Sequence, residues 1–296
     1  MATAPRRQIQ RAFDQAAAHY DDAAFLQQEI ARRLDERLDM MKLAPTRILD
    51  AGCGTGFAQT LLRPRYPKAA WVGLDLAHGM LVEARKRLPR PGLLDRLTGR
   101  QNAPLACGDI ATLPFATDCF DLAWSSLALQ WLDTPDTAFR EMRRVLRPGG
   151  VFLFATFGPD TLQELRAAFG GLDGYRHVNR FIDMHDLGDA LIHAGFSNPV
   201  MEMEHITLTY ADLKGLLRDL KGIGAQTVTE GRREGLMGRA EWRRLNDNYE
   251  RFRRDGRLPA TYEVVYGHAW VGDKSRWEDG RTVIQLKIEQ RQRGLR

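Results

Sequence analysis

Short apolar segments alternate with helical patterns through the middle of the chain. Segments of this kind, each bounded by turn residues, are RILDA, AAWVGLD, PLACGD, FDLAWSSL and VFLFATF. Between them, LVEARKRL and DTAFREMRRVL have helical spacing, and the second is followed by a stop signal at Arg147-Pro148-Gly149-Gly150, ahead of the next strand. Strands and helices that alternate in this way form a parallel sheet with helices on both faces, so the pattern predicts a doubly wound α/β fold.

Two further strand candidates, PVMEMEHITLTY and ATYEVVYGHAWV, extend the predicted sheet to seven mostly parallel strands. They are separated by residues 211–259, which is far longer than a usual connection and indicates an insertion before the last strand. The insertion opens with an amphipathic helix, whose apolar positions are Leu213, Leu216, Leu217, Leu220 and Ile223. N-terminal helices precede the core, with one apolar face formed by Ile30, Leu34, Leu38 and Met41.

Composition adds limits to this picture. The chain has 296 residues, of which 44% are hydrophobic and 27% charged, as in an ordinary globular protein. Its apolar runs fall short of the roughly 20 residues that span a bilayer, and the N-terminus lacks the apolar region of a secretory signal. The cysteines, Cys53, Cys107 and Cys119, have no paired spacing, which favours a reducing environment. We therefore expect a cytoplasmic protein with no membrane span.

The first predicted strand runs into the glycine loop ILDAGCGTGF. Ligands of doubly wound sheets bind at the carboxyl ends of the strands, so this loop belongs to the predicted site. Its alternate glycines, Gly52, Gly54 and Gly56, permit sharp turns and a close approach to a ligand. Asp50 would repel a diphosphate but suits an ammonium group, which favours a cationic, phosphate-free nucleoside such as S-adenosylmethionine.

Two more acids end the following strands. Asp75 is placed to accept both ribose hydroxyls, and Asp109 to accept from an adenine amino group with Ile110 against the ring. A single acid at a strand end is more often a helix cap or a loop residue, but the order and spacing of these three favour a nucleoside site. The predicted cofactor-binding residues are Asp50, Gly52, Cys53, Gly54, Gly56, Asp75, Leu76, Met80, Asp109, Ile110 and Ser125.

These residues, together with the RVLRPGG turn, resemble the class I S-adenosylmethionine-dependent methyltransferases over residues 46–157. The resemblance implies a Rossmann-like methyltransferase fold and S-adenosylmethionine as cofactor, without identifying the methyl acceptor. The flanking segments resemble one family in particular, the malonyl-acyl-carrier-protein O-methyltransferases of biotin synthesis. They are RAFDQAAAHYD, SSLALQW, HVNRF, LKGIGA and GRLPATYEVVYGHAW. This resemblance implies methylation of the free malonyl carboxylate, an early step of biotin synthesis that hides the charge from fatty-acid elongation enzymes.

An ionised carboxylate needs no general base, and the sequence offers no obvious Ser-His-Asp or Cys-His set. What the substrate needs is a set of hydrogen-bond donors in a closed pocket. We expect Tyr20, His177 and Asn179 to act in catalysis. Residues expected to contact the substrate are His19, Gln130, Trp131 and Arg180, with Ser125 also on the pocket floor. The alternatives are that Tyr20 packs the first helix, that His177 and Asn179 are turn residues, and that Trp131 belongs to the core.

The insertion is basic, with twelve Lys and Arg against eight Asp and Glu between Ala211 and Pro259, a net charge of +4. Lys214, Arg218 and Lys221 fall on one helical face opposite the leucines, where they could dock an acidic acyl carrier protein. The alternative is an ordinary solvated face. The surface is extended by Arg232, Arg233, Arg239, Arg243 and Arg244. Nucleic acid is disfavoured because the nearby aromatic residues form no stacking pattern. His185 and His193 have no partners at metal-ligand spacing, and we expect them to be structural.

Two other functions stay open. A methyltransferase for a small carboxylic acid or a quinone would explain the core but gives the basic insertion no role. Respiratory complex I assembly factors share the core, and FGPDTLQEL, DLGDALIHAGF and LPATYEVVYGHAW resemble them as well. HVNRF and LKGIGA fit the biotin family better.

We divide the chain as follows. Residues 1–45 form a helical segment closing over the site, 46–210 the cofactor-binding core, 211–259 the basic helical insertion, 260–271 the last core strand and 272–296 a polar tail without an assigned role. The sequence does not indicate an oligomeric state.

Overall fold

A computed structural model describes residues 6–88, 105–132, 134–173, 175, 177–225 and 237–272. Helices α1 (Arg6–Ala16), α2 (Tyr20–Ala23) and α3 (Phe25–Glu36) precede the sheet, with single 3-10 turns at Ala17–His19 and Arg37–Met40. The core elements then follow in the order β1 (Arg47–Ala51), α4 (Gln59–Arg65), β2 (Ala70–Asp75), α5 (His78–Arg87), β3 (Leu105–Cys107), β4 (Phe120–Ser126), α6 (Asp136–Val145), β5 (Leu146–Phe157), α7 (Gln163–Phe169), α8 (Met184–His193) and β6 (Ser197–Tyr210). Helices α9 (Leu213–Gly222) and α10 (Arg239–Glu250) separate β6 from β7 (Leu258–Trp270).

The strands form one sheet in the order β3-β2-β1-β4-β5-β7-β6. Strands β1 to β5 are parallel, and β7 runs antiparallel between β5 and β6. This confirms the predicted seven-stranded, mostly parallel, doubly wound sheet. The strand order reverses between β1 and β4, so the loops after these two strands flank the position where such sheets bind ligands.

The predicted start of the fifth strand was wrong by several residues. The helix before it ends at Val145, and β5 already begins at Leu146, which pairs with Phe120. The register then shifts, so that Val151 pairs with Leu122 and the Arg-Pro-Gly-Gly turn lies within the strand as an irregularity. Gly149 has φ +77°, which suits glycine and allows the chain to turn without ending the pairing.

Hydrophobic cores fill both faces of the sheet because side chains alternate along each strand. On one face, Ile30 and Leu34 of α3 pack with Leu122 and Leu153 of β4 and β5. On the other, α6 and α8 pack over Leu49 and its neighbours. No helix in the described ranges is both long enough and apolar enough to cross a bilayer.

The end of α9 lies against the N-terminal helices. A methyl group built on Gly222 would lie 2.8 Å from the Cβ of Ala23, and one on Gly224, which has φ +69°, would lie 3.4 Å from the carbonyl oxygen of Ala12. A side chain at Gly222 would therefore push α9 away from α2. These two glycines bring the insertion and the N-terminal segment together at the carboxyl edge of the sheet.

Candidate active site at the carboxyl edge of the sheet

A cavity of about 310 Å³ lies beyond the ends of β1, β2 and β4 and is covered by α1. Gly52 and Gly54 line it with φ values of +79° and +52°. A methyl group on Gly52 would lie 2.3 Å from the Cβ of Ala128 in the loop after β4. On Gly54 it would meet nothing within 4 Å, so that backbone is open toward the cavity. We call this space the cofactor cavity.

Gly56 does not line the cofactor cavity. A methyl group there would lie 2.9 Å from Nε2 of Gln59 and 3.1 Å from the Cβ of Ala84, and the residue has φ +78°. The absence of a side chain therefore allows α4 and α5 to pack closely. The third glycine of the loop acts on the fold, in contrast to its predicted place at the cofactor.

The carboxylate of Asp75 joins two loops at the cavity wall. Oδ2 accepts a hydrogen bond from the Gly54 N–H at 2.8 Å, and Oδ1 accepts one from the Ala77 N–H at 2.8 Å. Burial raises the pKa of Asp75 to about 6, although these backbone donors oppose the shift. Each oxygen keeps acceptor capacity for a ligand hydroxyl.

Asp50 is an unpaired acid inside the protein. It is 1% exposed, and its Oδ2 atom has no hydrogen-bond partner. The indole N–H of Trp71 lies close enough to lower the pKa slightly, but Trp71 Nε1 also lacks a partner of hydrogen-bonding geometry. Burial dominates and raises the pKa of Asp50 to about 8. A small cavity of about 60 Å³ adjoins it, lined also by Cys53 and Tyr20. An uncompensated buried acid beside a cavity suits a cationic ligand group.

Asp109 lies at the far side of the cofactor cavity, beside Ile110. Its Oδ2 atom forms an ion pair with Nη1 of Arg6 at 2.7 Å, and its Oδ1 atom accepts a hydrogen bond from the Ala111 N–H at 2.8 Å. A second contact holds α1 in place, since Oδ1 of Asp14 accepts a hydrogen bond from the Gly79 N–H at 2.7 Å. The predicted residues Leu76 and Met80 complete this wall of the cavity.

Tyr20 lies where the cavities meet. It lines the cofactor cavity, the small cavity beside Asp50 and a third, inner cavity of about 80 Å³. Burial raises the pKa of Tyr20 well above its usual range, and the nearby charges of Asp75 and Asp21 add to the shift. The phenol therefore remains protonated at neutral pH and can donate a hydrogen bond.

The residue after Tyr20 anchors this segment to the glycine loop. Asp21 accepts a hydrogen bond from the Thr55 hydroxyl at 2.8 Å and pairs with Arg87 of α5. Because Asp21 and Tyr20 are adjacent, these contacts also fix the position of the phenol.

The inner cavity contains four of the residues predicted for catalysis and substrate binding besides Tyr20, namely Gln130, Trp131, His177 and Asn179. It shares Phe13, Tyr20, Leu127 and Trp131 with the cofactor cavity. The Phe13 and Trp131 rings meet edge to face, with centroids 5.2 Å apart.

Polar groups of the inner cavity differ in how they are held. The His177 ring is stacked on Phe169 at 3.7 Å between centroids, and its Nε2 atom lies 2.9 Å from Oδ1 of Asp173. Asn179 and Gln27 are different, because the buried amide oxygens Oδ1 and Oε1 have no hydrogen-bond partner. Since a half-turn of an amide exchanges its oxygen and nitrogen, each group can offer a ligand either a donor or an acceptor.

Besides Gly56, three residues predicted to contact cofactor or substrate lie away from the cavities. The Ser125 hydroxyl is buried and donates to the Ala51 carbonyl at 2.8 Å, because alternation along β4 turns the next residue, Ser126, toward the cofactor cavity. His19 is 85% exposed, since the 3-10 turn before Tyr20 directs it outward, and Arg180 is exposed as well. The structure therefore gives no support to direct contacts by these three.

Lining residues on the N-terminal segment that the sequence did not predict include Arg6, Ile9, Phe13 and Gln27. Three of them, Arg6, Phe13 and Gln27, recur with Tyr20 every seven residues. Seven residues are close to two turns, so this spacing would align the four positions on one side of a continuous helix, although the 3-10 turn and Ala24 interrupt the segment. That spacing is the sequence signal that could have identified them.

The predicted basic face lies on α9. Leu213 and Leu216 are buried, while Lys214, Arg218 and Lys221 are exposed on the other side. The end of the helix reaches the inner cavity through Leu220 and Ile223. Further along the insertion, the side chains of Arg239, Arg243 and Arg244 are exposed, whereas positions 232 and 233 fall outside the described residues.

Comparisons with known proteins agree with this geometry. The methyltransferase domain family matches residues 49–154. A malonyl-acyl-carrier-protein O-methyltransferase of Laribacter hongkongensis is 55% identical over 285 residues, 95% of this chain and 95% of that protein. The protein of the same name from Gallionella capsiferriformans is 49% identical over 284 residues, 96% of this chain and 97% of the other. Among solved structures, the YcgJ protein of Bacillus subtilis matches with a TM-score of 0.56 at 14% identity, over 82% of this chain and 99% of that one, which shows a shared fold.

Proposed function

The chain belongs to the malonyl-acyl-carrier-protein O-methyltransferases, and on that basis we propose how its two cavities serve the reaction. The enzyme is an S-adenosylmethionine-dependent methyltransferase that converts the free carboxylate of a carrier-bound malonyl group to a methyl ester. The observation that carries the proposal is the wall shared by the cofactor cavity and the inner cavity, because a methyl group has to pass from one space to the other.

The residues of the cofactor cavity and of the small cavity beside it fit S-adenosylmethionine. The unpaired carboxylate of Asp50, at the small cavity that shares Gly52 and Gly54 with the cofactor cavity, would hold the amino group, and Asp75 would accept the ribose hydroxyls. Asp109 and Ile110 would contact the adenine, with the Asp109 carboxylate exchanging part of its pairing with Arg6 for the adenine amino group. The open backbone at Gly54 leaves room for the ligand. Bound there, the cofactor supplies an electrophilic methyl group on a sulfonium.

The inner cavity would hold the malonyl carboxylate. Tyr20, at the shared wall, would donate a hydrogen bond to it, and the amides of Asn179 and Gln27, whose oxygens are unpaired, would turn their N–H groups toward it. One carboxylate oxygen forms a bond to the methyl carbon as the bond from that carbon to sulfur breaks, leaving an ester and a neutral thioether. The carboxylate is already ionised at neutral pH, so these residues orient the acceptor and exclude water, and no group removes a proton.

His177 has a different role in this arrangement. Its stacking on Phe169 and its contact with Asp173 hold the segment that carries Asn179. We therefore assign His177 to positioning and Asn179 to substrate contact.

The insertion would receive the carrier protein. Lys214, Arg218 and Lys221 present three exposed cations on a helix whose end lines the inner cavity, and acyl carrier proteins are acidic. In this scheme residues 1–45 close the cofactor cavity, 46–210 bind the cofactor, 211–259 dock the partner and 260–271 complete the sheet. The thiols of Cys53, Cys107 and Cys119 are free, in keeping with a reducing cytoplasm.

The test is methyl transfer from labelled S-adenosylmethionine to malonyl-acyl-carrier-protein, malonyl-coenzyme A and free malonate in parallel. We expect label in the carrier-bound ester, with the highest kcat/KM for the carrier protein. Label in free acids alone would support a small-molecule methyltransferase. Cofactor binding without label in any of the three would support an assembly role, which the names of the relatives described above do not favour.

A further inference from the structure

A second groove opens beside the inner cavity. It encloses about 210 Å³ between the start of α3, the end of β6 and the last turn of α9. Its apolar walls come from Ala23, Leu26 and Leu208, and Phe25 stands at its rim with 68% of its surface exposed. We call this space the outer groove. It takes no part in holding the cofactor, since its lining shares no residue with the cofactor cavity.

The outer groove leads to the acceptor site. It shares Gln27, Leu220, Ile223 and Tyr262 with the inner cavity, so the two spaces meet at one wall. Gln27 occupies this wall with a buried amide oxygen that has no hydrogen-bond partner. A ligand that extends from the surface through the outer groove would therefore end at the residues that face the methyl acceptor.

Polar side chains also line the groove, namely those of Tyr210, Asp219 and Tyr262. Asp219 and Tyr262 lie close enough to Tyr210 to affect its pKa. Burial and the Asp219 charge raise the pKa of Tyr210 to about 12, so the phenol stays protonated. The groove thus combines apolar walls with hydrogen-bonding groups, which suits a narrow ligand in which methyl groups alternate with amides and hydroxyls.

The charge around the groove indicates the side from which the ligand comes. Leu220 and Ile223 of the groove belong to the α9 segment, whose opposite side presents Lys214, Arg218 and Lys221 to solvent. An acidic protein docked on these cations would bring its prosthetic group to the mouth of the groove.

We propose that the outer groove holds the phosphopantetheine arm of the acyl carrier protein and guides the malonyl thioester to the inner cavity. This inference rests on the proposed function and specifies the path of its substrate. The arm has the required chemistry, because it is a flexible chain with a dimethyl group, a hydroxyl and two amides that ends at the thioester sulfur. The cations of α9 would then face the protein and its phosphate, while the groove faces the arm.

The first test distinguishes recognition of the phosphopantetheine arm from recognition of the protein that carries it. The variant Leu208→Trp fills the groove, and Met203→Trp places the same side chain on the opposite face of β6, where Met203 is 43% exposed. Three malonyl thioesters serve as substrates: the carrier protein, coenzyme A, which has the same arm, and N-acetylcysteamine, which has only its end. We expect Leu208→Trp to raise KM about tenfold for both long-arm substrates and to leave kcat/KM for the short one within about twofold, with Met203→Trp close to wild type for all three.

The outcomes distinguish failure of the groove proposal from failure of the proposed function. Equal effects of Leu208→Trp on long and short thioesters would overturn the groove proposal while the proposed function stands. Failure of the wild-type enzyme to methylate any malonyl thioester would overturn the proposed function itself. Arg218→Glu should raise KM more for the carrier protein than for coenzyme A, because coenzyme A shares the phosphate of the arm but brings no protein surface to α9.

A second measurement avoids any dependence on the folding of the tryptophan variant. Phe25 stands at the rim of the groove with 68% of its surface exposed, so a Phe25→Cys enzyme can be folded first and then blocked with a bulky thiosulfonate reagent. We expect long-arm activity to fall and to return after reduction, relative to wild-type enzyme treated identically, whose native thiols control for side reactions. Unchanged long-arm activity at full labelling of the introduced thiol would overturn the proposal.

Discussion

The cofactor half and the acceptor half of the site are built in different ways. The cofactor half uses backbone at the ends of adjacent parallel strands, and two of its acids, Asp75 and Asp109, accept hydrogen bonds from neighbouring N–H groups. The acceptor half is assembled from the N-terminal helices, the loop after β5 and the insertion before β7, which lie far apart in the sequence. The first is rigid because the sheet dictates it, whereas the second depends on packing between helices. We therefore expect damage to the first to abolish binding, and damage to the second to change turnover or KM.

The largest effect should follow from Gly52→Ala in the cofactor half. Gly52 has φ +79°, and the added methyl would lie 2.3 Å from the Cβ of Ala128, so the loops after β1 and β4 would separate. We expect cofactor affinity to fall by about a hundredfold or more, as measured by calorimetry, with a loss of about 1–3 kcal/mol in the free energy of unfolding.

Gly149→Ala is the matched control for Gly52→Ala. Gly149 has φ +77°, but nothing lies within 4 Å of the added methyl. It should therefore lose only the backbone contribution of about 1 kcal/mol and keep its cofactor affinity. Equal affinities of the two variants would refute a steric role for Gly52.

Tyr20→Phe should impair the acceptor half of the site and leave the cofactor half intact. Tyr20 belongs to both cavities, but its proposed hydrogen bond goes to the acceptor, so we expect kcat to fall by about tenfold to a hundredfold while the cofactor dissociation constant changes little. Steady-state kinetics and calorimetry measure the two quantities. Tyr249→Phe is a suitable control, because the Tyr249 hydroxyl donates to the Pro259 carbonyl at 2.8 Å outside the cavities. A comparable loss of kcat in the control would mean that general destabilisation causes the effect.

Cofactor binding should depend on pH through Asp50. Burial raises the pKa of Asp50 to about 8, so at pH 7 the carboxyl of the free enzyme is mostly protonated. A bound ammonium group favours the carboxylate and lowers this pKa, so binding releases a proton. Affinity should therefore decrease as the pH falls below 8, by up to about tenfold per pH unit. Calorimetry at pH 7 in buffers of different ionisation enthalpy measures the released proton. Asp50→Asn should abolish this contribution, and an unchanged proton release would rule out Asp50 as its source.

The smallest effect should come from the docking surface. Arg218→Glu reverses one exposed cation of α9, so we expect KM for the carrier protein to rise about threefold to tenfold at low salt, with kcat nearly unchanged and a smaller effect at high salt. Lys68→Glu makes the same charge change just before β2, at the opposite edge of the sheet, and should leave KM unaltered. An equal rise in both variants would indicate a response to net charge alone.

Strand-end positions can be predicted from the sequence more readily than the direction in which a side chain points. Asp50, Asp75 and Asp109 could be placed because strand ends and glycine spacing define the cofactor site before any tertiary contact is known. Ser125 could not be placed, because successive side chains of a strand point to opposite faces and the sequence does not show which of the two serines faces the site. In the structure it is Ser126 that lines the cavity. His19 was misplaced because a 3-10 turn interrupts the N-terminal helix and turns it to solvent.

Gln27 shows the other limit. It lines the inner cavity, the outer groove and the small cavity beside Asp50, yet nothing in the neighbouring sequence indicates that this polar residue faces buried cavities. Its position depends on tertiary packing, because other walls of the inner cavity and the outer groove come from α9, β6 and the loop after β5. Its seven-residue distance from Tyr20 becomes informative once Tyr20 is known to face the site.

The position of α1 has a consequence for the order of events. Arg6 and Asp14 hold this helix over the cofactor cavity, while Phe13 forms part of the wall of the acceptor space. Helix α1 would have to open for S-adenosylhomocysteine to leave, and the same helix forms part of the site that binds the malonyl carboxylate. We expect a compulsory sequence in which the sulfonium donor enters first and its thioether product leaves last. S-adenosylhomocysteine should then inhibit competitively against the donor and noncompetitively against the carrier protein, whereas competition with the carrier protein would contradict this order. Each catalytic cycle would thus end with the N-terminal helix opening, after the methyl ester has already departed.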